Sequence, residues 1–273
     1  MCLGGNRMKL KKMIVFIVGI FLIGFCLMLY FGFEGNPVSY FIVNHVSKDY
    51  VEEKYPGYHV ENSTYSFKDG YYYVVVSLEN SKDIYFSIIY DGLGKMLTDN
   101  YESSKEGNWN TFRRLDEEYR KRVDEVLMAD DFSLKQDNIQ YGSIVSINDT
   151  GWSFDFGINE QELIVDKEYD LKDMGKQGGA IIFYYEDEDI SIENISYHIL
   201  TLKEYLDEND VSFYALNFVL EDPTNIDNNV YVMIKSSDIY VENFESRLIK
   251  SIKETEEFYK EEDSLKTDEL GIN

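Results

Sequence analysis

Two acidic clusters offer the first candidates for chemistry. Glu186-Asp187-Glu188-Asp189 sets four carboxylates side by side, just ahead of Ser191, where a helix is expected to begin. Residues 222–229 read D-P-T-N-I-D-N-N and bring Asn225, Asp227 and Asn229 to alternate positions. Oxygen donors spaced in that way open an EF-hand calcium loop. The glycine such a loop needs at its sixth place is Val230 here, and Ser236 stands where the bidentate glutamate belongs. Both segments therefore carry a calcium expectation beside a plainer one. Acidic residues at a helix N-terminus suit the helix dipole, and D-P-T-N is ordinary turn chemistry. Beyond these candidates no metal ligands and no cofactor site are expected.

Nucleophilic chemistry has less to build on. The two cysteines, Cys2 and Cys26, both precede residue 34, and no G-x-S-x-G occurs. The histidines are His45, His59 and His198; His45 and His198 fall inside expected helices and His59 follows the Pro56-Gly57 break. None stands in an H-E-x-x-H or H-x-H pattern of the kind zinc requires. Gly175-Lys176-Gln177-Gly178-Gly179 lacks the spacing of a phosphate loop, and Gly92-Leu93-Gly94 lacks a third glycine, so both read as turns. Carboxylate pairs for glycoside hydrolysis remain open only because acids are abundant.

Charge and hydropathy place these residues. Residues 13–33 form an unbroken apolar run without a charged side chain. As a helix it spans roughly 31 Å, which matches a hydrocarbon core of about 30 Å. Arg7, Lys9, Lys11 and Lys12 precede it, with no acidic residue among them, and Glu34 follows it. The positive-inside rule then predicts a cytoplasmic N-terminus, residues 1–12, and an extracellular C-terminal part. The run is longer than a secretory h-region and has no small-x-small site, so an uncleaved single-pass anchor is expected in the cell membrane. Phe25 before Cys26 is too bulky for lipoprotein processing.

All 51 acidic residues lie beyond Phe33, in a chain of net charge −25. Such a surface repels nucleic acid and excludes it as a partner. With 23 Tyr and 17 Phe there is ample material for a core. A cysteine-free outer part argues against a disulfide-stapled secreted protein and fits a Gram-positive envelope.

The elements that must position the candidates follow from periodicity. Asn36-Pro37 is a helix start, and Ile42, Val43, Val46 and Tyr50 share a face before Pro56-Gly57. Runs rich in aromatic and β-branched residues, parted by turns such as Asp69-Gly70, predict strands over 58–67, 71–78, 83–90 and 96–101. Phe112, Leu115, Tyr119, Val123 and Val126 form the stripe of a second helix. Residues 34–129 thus read as a first helix–sheet–helix domain. Residues 130–262 read as a second, with strands near 139–147, 151–156, 179–185, 211–220 and 230–236, a helix from Ser191 and a last helix carrying Phe244, Leu248 and Ile252. Residues 263–273 read as a polar tail. The fold class is α+β: an N-terminal transmembrane helix, then two small helix-plus-antiparallel-sheet domains. In element order the first is PepSY- or cystatin-like and the second partly ferredoxin-like.

Particular segments carry a family resemblance. Gly35-Asn36-Pro37, Val51-Glu52-Glu53-Lys54-Tyr55-Pro56-Gly57 and Tyr65-Ser66-Phe67-Lys68-Asp69-Gly70-Tyr71-Tyr72 are three of them. Ser81-Lys82-Asp83, Tyr90-Asp91-Gly92-Leu93-Gly94-Lys95, Asn108-Trp109-Asn110-Thr111 and Lys167-Glu168-Tyr169-Asp170-Leu171 continue it. Together they resemble the YfjL-like proteins of Gram-positive bacteria. The resemblance implies membrane-anchored proteins of two small α+β domains without an established activity, and so transfers no functional residue. The function expected from the whole sequence is a non-enzymatic, membrane-tethered binding or interaction module of the cell envelope. It would be held by the lipid bilayer through its anchor and would meet an envelope protein or peptide partner at a sheet face or edge. The alternatives are a carboxylate-based envelope hydrolase and a calcium-dependent envelope domain.

Overall fold

A computed structural model describes residues 4–104, 108–147, 152 and 154–269. By its contacts the chain divides into two units, Met1–Asn110 and Thr111–Asn273.

The first unit opens with α1 (Gly4–Glu34), a helix long and apolar enough to cross a membrane, with its apolar stretch unburied. It stops at Gly35, whose φ of +81° lets its N–H reach back 3.1 Å to Phe31 O. Asn36 then caps α2 (Pro37–Lys54) by accepting from the Val38 N–H at 2.9 Å, with Pro37 as the first helical residue. The strands β1 (Tyr58–Ser66), β2 (Tyr71–Leu78), β3 (Tyr85–Tyr90) and β4 (Met96–Asp99) form an antiparallel meander in sequence order, and the one-turn helix α3 (Tyr101–Ser104) follows. Side chains alternate across a sheet, so Tyr72, Val74 and Val76 share a buried face with Phe86, Ile88 and Tyr90. Val43 and Val51 of α2 pack into the same cluster.

The second unit is built on β5 (Gln140–Val145), β6 (Gly179–Glu186), β7 (Ala215–Glu221) and β8 (Val230–Lys235), again in sequence order. Its sheet is mixed: β6 and β7 run parallel because the crossover helix α6 (Ile192–Glu208) returns the chain to the same end. The outer pairs are antiparallel. Ile181, Phe183, Leu216, Phe218, Val232 and Ile234 belong to one core cluster, while Ala180, Ala215 and Met233 pack with Trp152 and Phe156 in another. The edge strand β8 is covered by α7 (Phe244–Glu269): Thr255 Oγ1 accepts from the Met233 N–H at 2.9 Å, and the Ser251 hydroxyl donates to Met233 O. A helix over a sheet edge blocks pairing with a further strand.

Several expectations need correction. The helix α4 (Asn108–Leu127) buries Leu115, Tyr119, Val123 and Val126 in the core of the second unit, so the units part at Asn110 and not at residue 129. An apolar stripe says that a helix has a face to bury without saying which sheet will take it. Part of the strand expected over 151–156 lies outside the described residues, and Phe154 and Phe156 belong to no strand. The glycines read as a turn are instead helix and strand: α5 (Leu171–Gly178) contains Gly175, and Gly179 opens β6. The last helix runs to Glu269, beyond the expected start of a polar tail, whose final residues 270–273 lie outside the described ones.

The cap of α6 matches its sequence signal. Ser191 Oγ accepts from the Asn194 N–H at 3.3 Å. Ser191→Ala should cost about 1 kcal/mol in urea unfolding of the full chain; an unchanged midpoint would remove that bond from the account.

Candidate functional site

The acidic turn after β6 is internally bonded. Asp187, half-buried, accepts from the Asp189 N–H at 3.0 Å, Asn194 Nδ2 at 3.0 Å and His198 Nε2 at 3.1 Å. Asp189 accepts from the Ser191 N–H at 3.0 Å. The Asp189 N–H, together with Asn194 and His198, holds the Asp187 carboxyl below its ordinary value against the opposing effect of burial. Glu186 and Glu188 are exposed, and the Glu186 backbone is gripped by the Gln136 amide.

The partnership of Asp187 with His198 escaped sequence reasoning. Its signal is an Asp at a strand end and a His eleven residues on, in the next helix. His198 is buried, its ring 4.2 Å from that of Tyr185, and its Nδ1 makes no hydrogen bond among the described residues. A relay needs a nucleophile on that second nitrogen, so the pair ties the β6–α6 turn to α6.

The loop before β8 closes on itself in the same way. Asp222 accepts from the Thr224 hydroxyl at 2.6 Å, Asn228 Nδ2 at 2.9 Å and the Thr224 N–H at 2.8 Å, which hold its carboxyl down at about 2. Asn229 Oδ1 accepts from the Asp222 N–H, and Asn225 Oδ1 from the Asp227 N–H. Two of the candidate calcium ligands thus spend a side-chain oxygen on the backbone of their own loop. Among the described residues no three His, Cys, Asp or Glu side chains converge as a metal site.

A different feature marks the first unit. Among the described residues β1 has a strand neighbour on one side only. Toward the hairpin tip its outer side meets α2, where Tyr40 Oη accepts from the Tyr65 N–H at 3.0 Å and Asn44 Oδ1 from the Ser63 hydroxyl at 2.9 Å. Toward its start it borders a concavity of about 490 Å³ lined by Lys48, Val51, Glu52, Tyr55, Tyr58 and His59. A register shift between Val60 and Asn62 lies next to it.

The wall of that concavity is fixed from behind. Asp99, at the end of β4, accepts from Tyr55 Oη at 2.5 Å, Tyr50 Oη at 2.7 Å, Lys54 Nζ at 3.0 Å and the Tyr101 N–H at 3.1 Å. Burial alone would raise this carboxyl; the tyrosine, backbone and lysine donors outweigh it and hold it at about 2. Burial and the carboxylate together push Tyr55 up to about 12. Periodicity could place these residues on their elements, but their convergence depends on how α2 crosses the sheet.

These features define the class: an α+β protein with, among the described residues, one membrane-length apolar helix and two four-stranded sheet units, the first with an open concavity beside a sheet edge. The chain belongs to the YfjL-like family, since residues 10–100 match the YfjL-like N-terminal domain and residues 118–258 the YfjL-like C-terminal domain. No curated protein and no solved structure matches it.

Proposed function

We propose that the chain is a single-pass, membrane-tethered binding module of the Gram-positive cell envelope, with its N-terminus in the cytoplasm and both sheet units outside. It takes an extended segment of a peptide or protein partner along the start of β1. The observation that carries this reading is the concavity of about 490 Å³ beside an edge strand. Main-chain bonds to an edge supply affinity in strand addition, and flanking pockets select side chains. Tyr55 and Tyr58 offer aromatic walls, with Lys48, Glu52 and His59 at the rim. The basic residues Arg7, Lys9, Lys11 and Lys12, which precede the apolar run within α1, and the acidic chain after it support the orientation. No residue is assigned a catalytic role.

Thermal melting of the full chain in detergent micelles, against a panel of extended peptides, tests the reading. A peptide bound only by the folded form raises Tm. The same peptide N-methylated at alternate backbone nitrogens should lose the shift, because strand addition uses those N–H groups. Flat curves across the panel, or equal binding by the methylated form, would reject edge capture.

A further inference from the structure

Most exposed apolar side chains of the first unit gather at one end; Trp109, 57% exposed, is an exception, since its neighbour Asn110 donates to Asp83 O and Tyr85 O at the other. Both tight turns of the meander at that end carry one: Phe67 between β1 and β2 is 58% exposed, and Leu93 between β3 and β4 is 84% exposed. α2 starts at the same end, for the Asn36 N–H donates to Tyr72 Oη at 2.9 Å. A Cβ on Gly92 would stand 3.1 Å from Ser39, and one on Gly94 would stand 2.8 Å from Ile42. The first turns of α2 add Val38 and Phe41, the latter 75% exposed. α1 ends here too, with the Phe33 and Phe67 rings 5.8 Å apart.

Farther along α2 the outward positions become polar, with His45, Asp49 and Glu52 exposed. The turn at the opposite end of the meander, Glu79-Asn80-Ser81-Lys82, carries no apolar side chain.

Each apolar tip has an exposed lysine beside it, Lys68 and Lys95, and neither forms an ion pair among the described residues. The acids of the same turns bond within their own turns at the surface. Asp69 accepts from Tyr73 Oη at 2.6 Å and the Tyr71 N–H at 3.2 Å; Asp91 accepts from the Leu93 and Lys95 N–H groups at 2.9 Å each. Lys68 and Lys95 thus stand beside the apolar tips, with Glu34, Asp69 and Asp91 at the same end.

We infer that this end of the first unit is seated in the bilayer interface, with Phe67 and Leu93 inserted beside the anchor helix and Lys68 and Lys95 at the headgroups. The occupant is a lipid surface because the apolar end is continuous with α1. Aromatic and aliphatic groups backed by lysines are the composition of interfacial segments, which sink about 5–10 Å into the headgroup boundary. The inference rests on the reading of α1 as a membrane anchor. Seating fixes the height of the β1 edge above the membrane.

The test uses the full chain in vesicles of phosphatidylcholine and phosphatidylglycerol, with Phe67→Trp, Leu93→Trp and His45→Trp made separately. Lipids brominated near the headgroup end of the acyl chain should quench the added emission in the first two variants and not in the third. Flotation of each sample with its vesicles reports the anchor independently. Chains that float while Phe67→Trp and Leu93→Trp stay unquenched overturn the seating and leave the anchor standing. Chains that do not float overturn both. If Phe67→Trp fails to fold, Leu93→Trp carries the same decision from the other turn.

Discussion

Asp99→Ala should destabilise the first unit by about 3 kcal/mol, since two tyrosine hydroxyls lose a charged acceptor at once. Tyr55 is buried and the Asp99 side chain is 14% exposed, so water replaces little of what is lost there. Lys54, with a side chain 51% exposed, recovers its hydration and adds little. Hydrogen exchange of the β1–β4 amides reads the first unit alone, and protection equal to wild type would show that the cluster is not holding α2 to the sheet.

The same carboxylate sets an acid limit. Its value of about 2 lies below the ordinary 3.8, so its contribution is present in full above the ordinary value and fades as pH falls toward 2. The amount is about 2 kcal/mol. Wild type and Asp99→Asn should therefore differ most in unfolding midpoint at pH 5 and converge near pH 2. A constant difference over that window would separate the stability of the cluster from the charge of Asp99. Because Tyr55 also lines the concavity at β1, either variant should weaken peptide capture there.

Gly175→Ala should cost the second unit about 3 kcal/mol or more, the upper end of overpacking. A Cβ there would lie 2.0 Å from Ser212 O and 2.9 Å from the Tyr119 ring. The carbonyl cannot swing aside freely, because Tyr119 Oη donates to it at 2.9 Å. Gly179 is equally confined, its own Cβ position falling 2.7 Å from the Gly175 backbone. Gly142→Ala is the control: nothing stands within 4 Å of the added methyl group, and Gly142 lies in the strand β5. Thermal melting should show a large fall for the first and almost none for the second. Equal melting would contradict the contact between α5 and the Ser212 carbonyl.

Much of the candidate site was legible element by element. Tyr55 and Tyr58 flank the Pro56-Gly57 break that separates helix from strand, and the aromatic and β-branched run 71–78 marks β2, although only the structure shows that Tyr72, Val74 and Val76 are its core face. The β1 edge follows once the first unit is read as a meander. The calcium candidates were visible only as composition. The sequence could not show that Asn225 and Asn229 turn onto their own loop, because an Asn oxygen serves a backbone N–H or a cation equally well.

What the sequence determined by itself was local or periodic. The apolar run is set by its length, the start of α2 by Asn36-Pro37, and the strands of the first unit by aromatic and β-branched content between turn residues, each fixed by interactions within a few residues. The tertiary structure alone decided which core receives α4, that Asp187 meets His198, that Tyr50, Lys54 and Tyr55 converge on Asp99, and that Gly175 lies against Ser212. An apolar stripe specifies a face without naming the surface that covers it. A polar side chain likewise acquires its partner only when register and helix placement bring together residues such as Tyr50 and Asp99, which lie 49 positions apart in the chain.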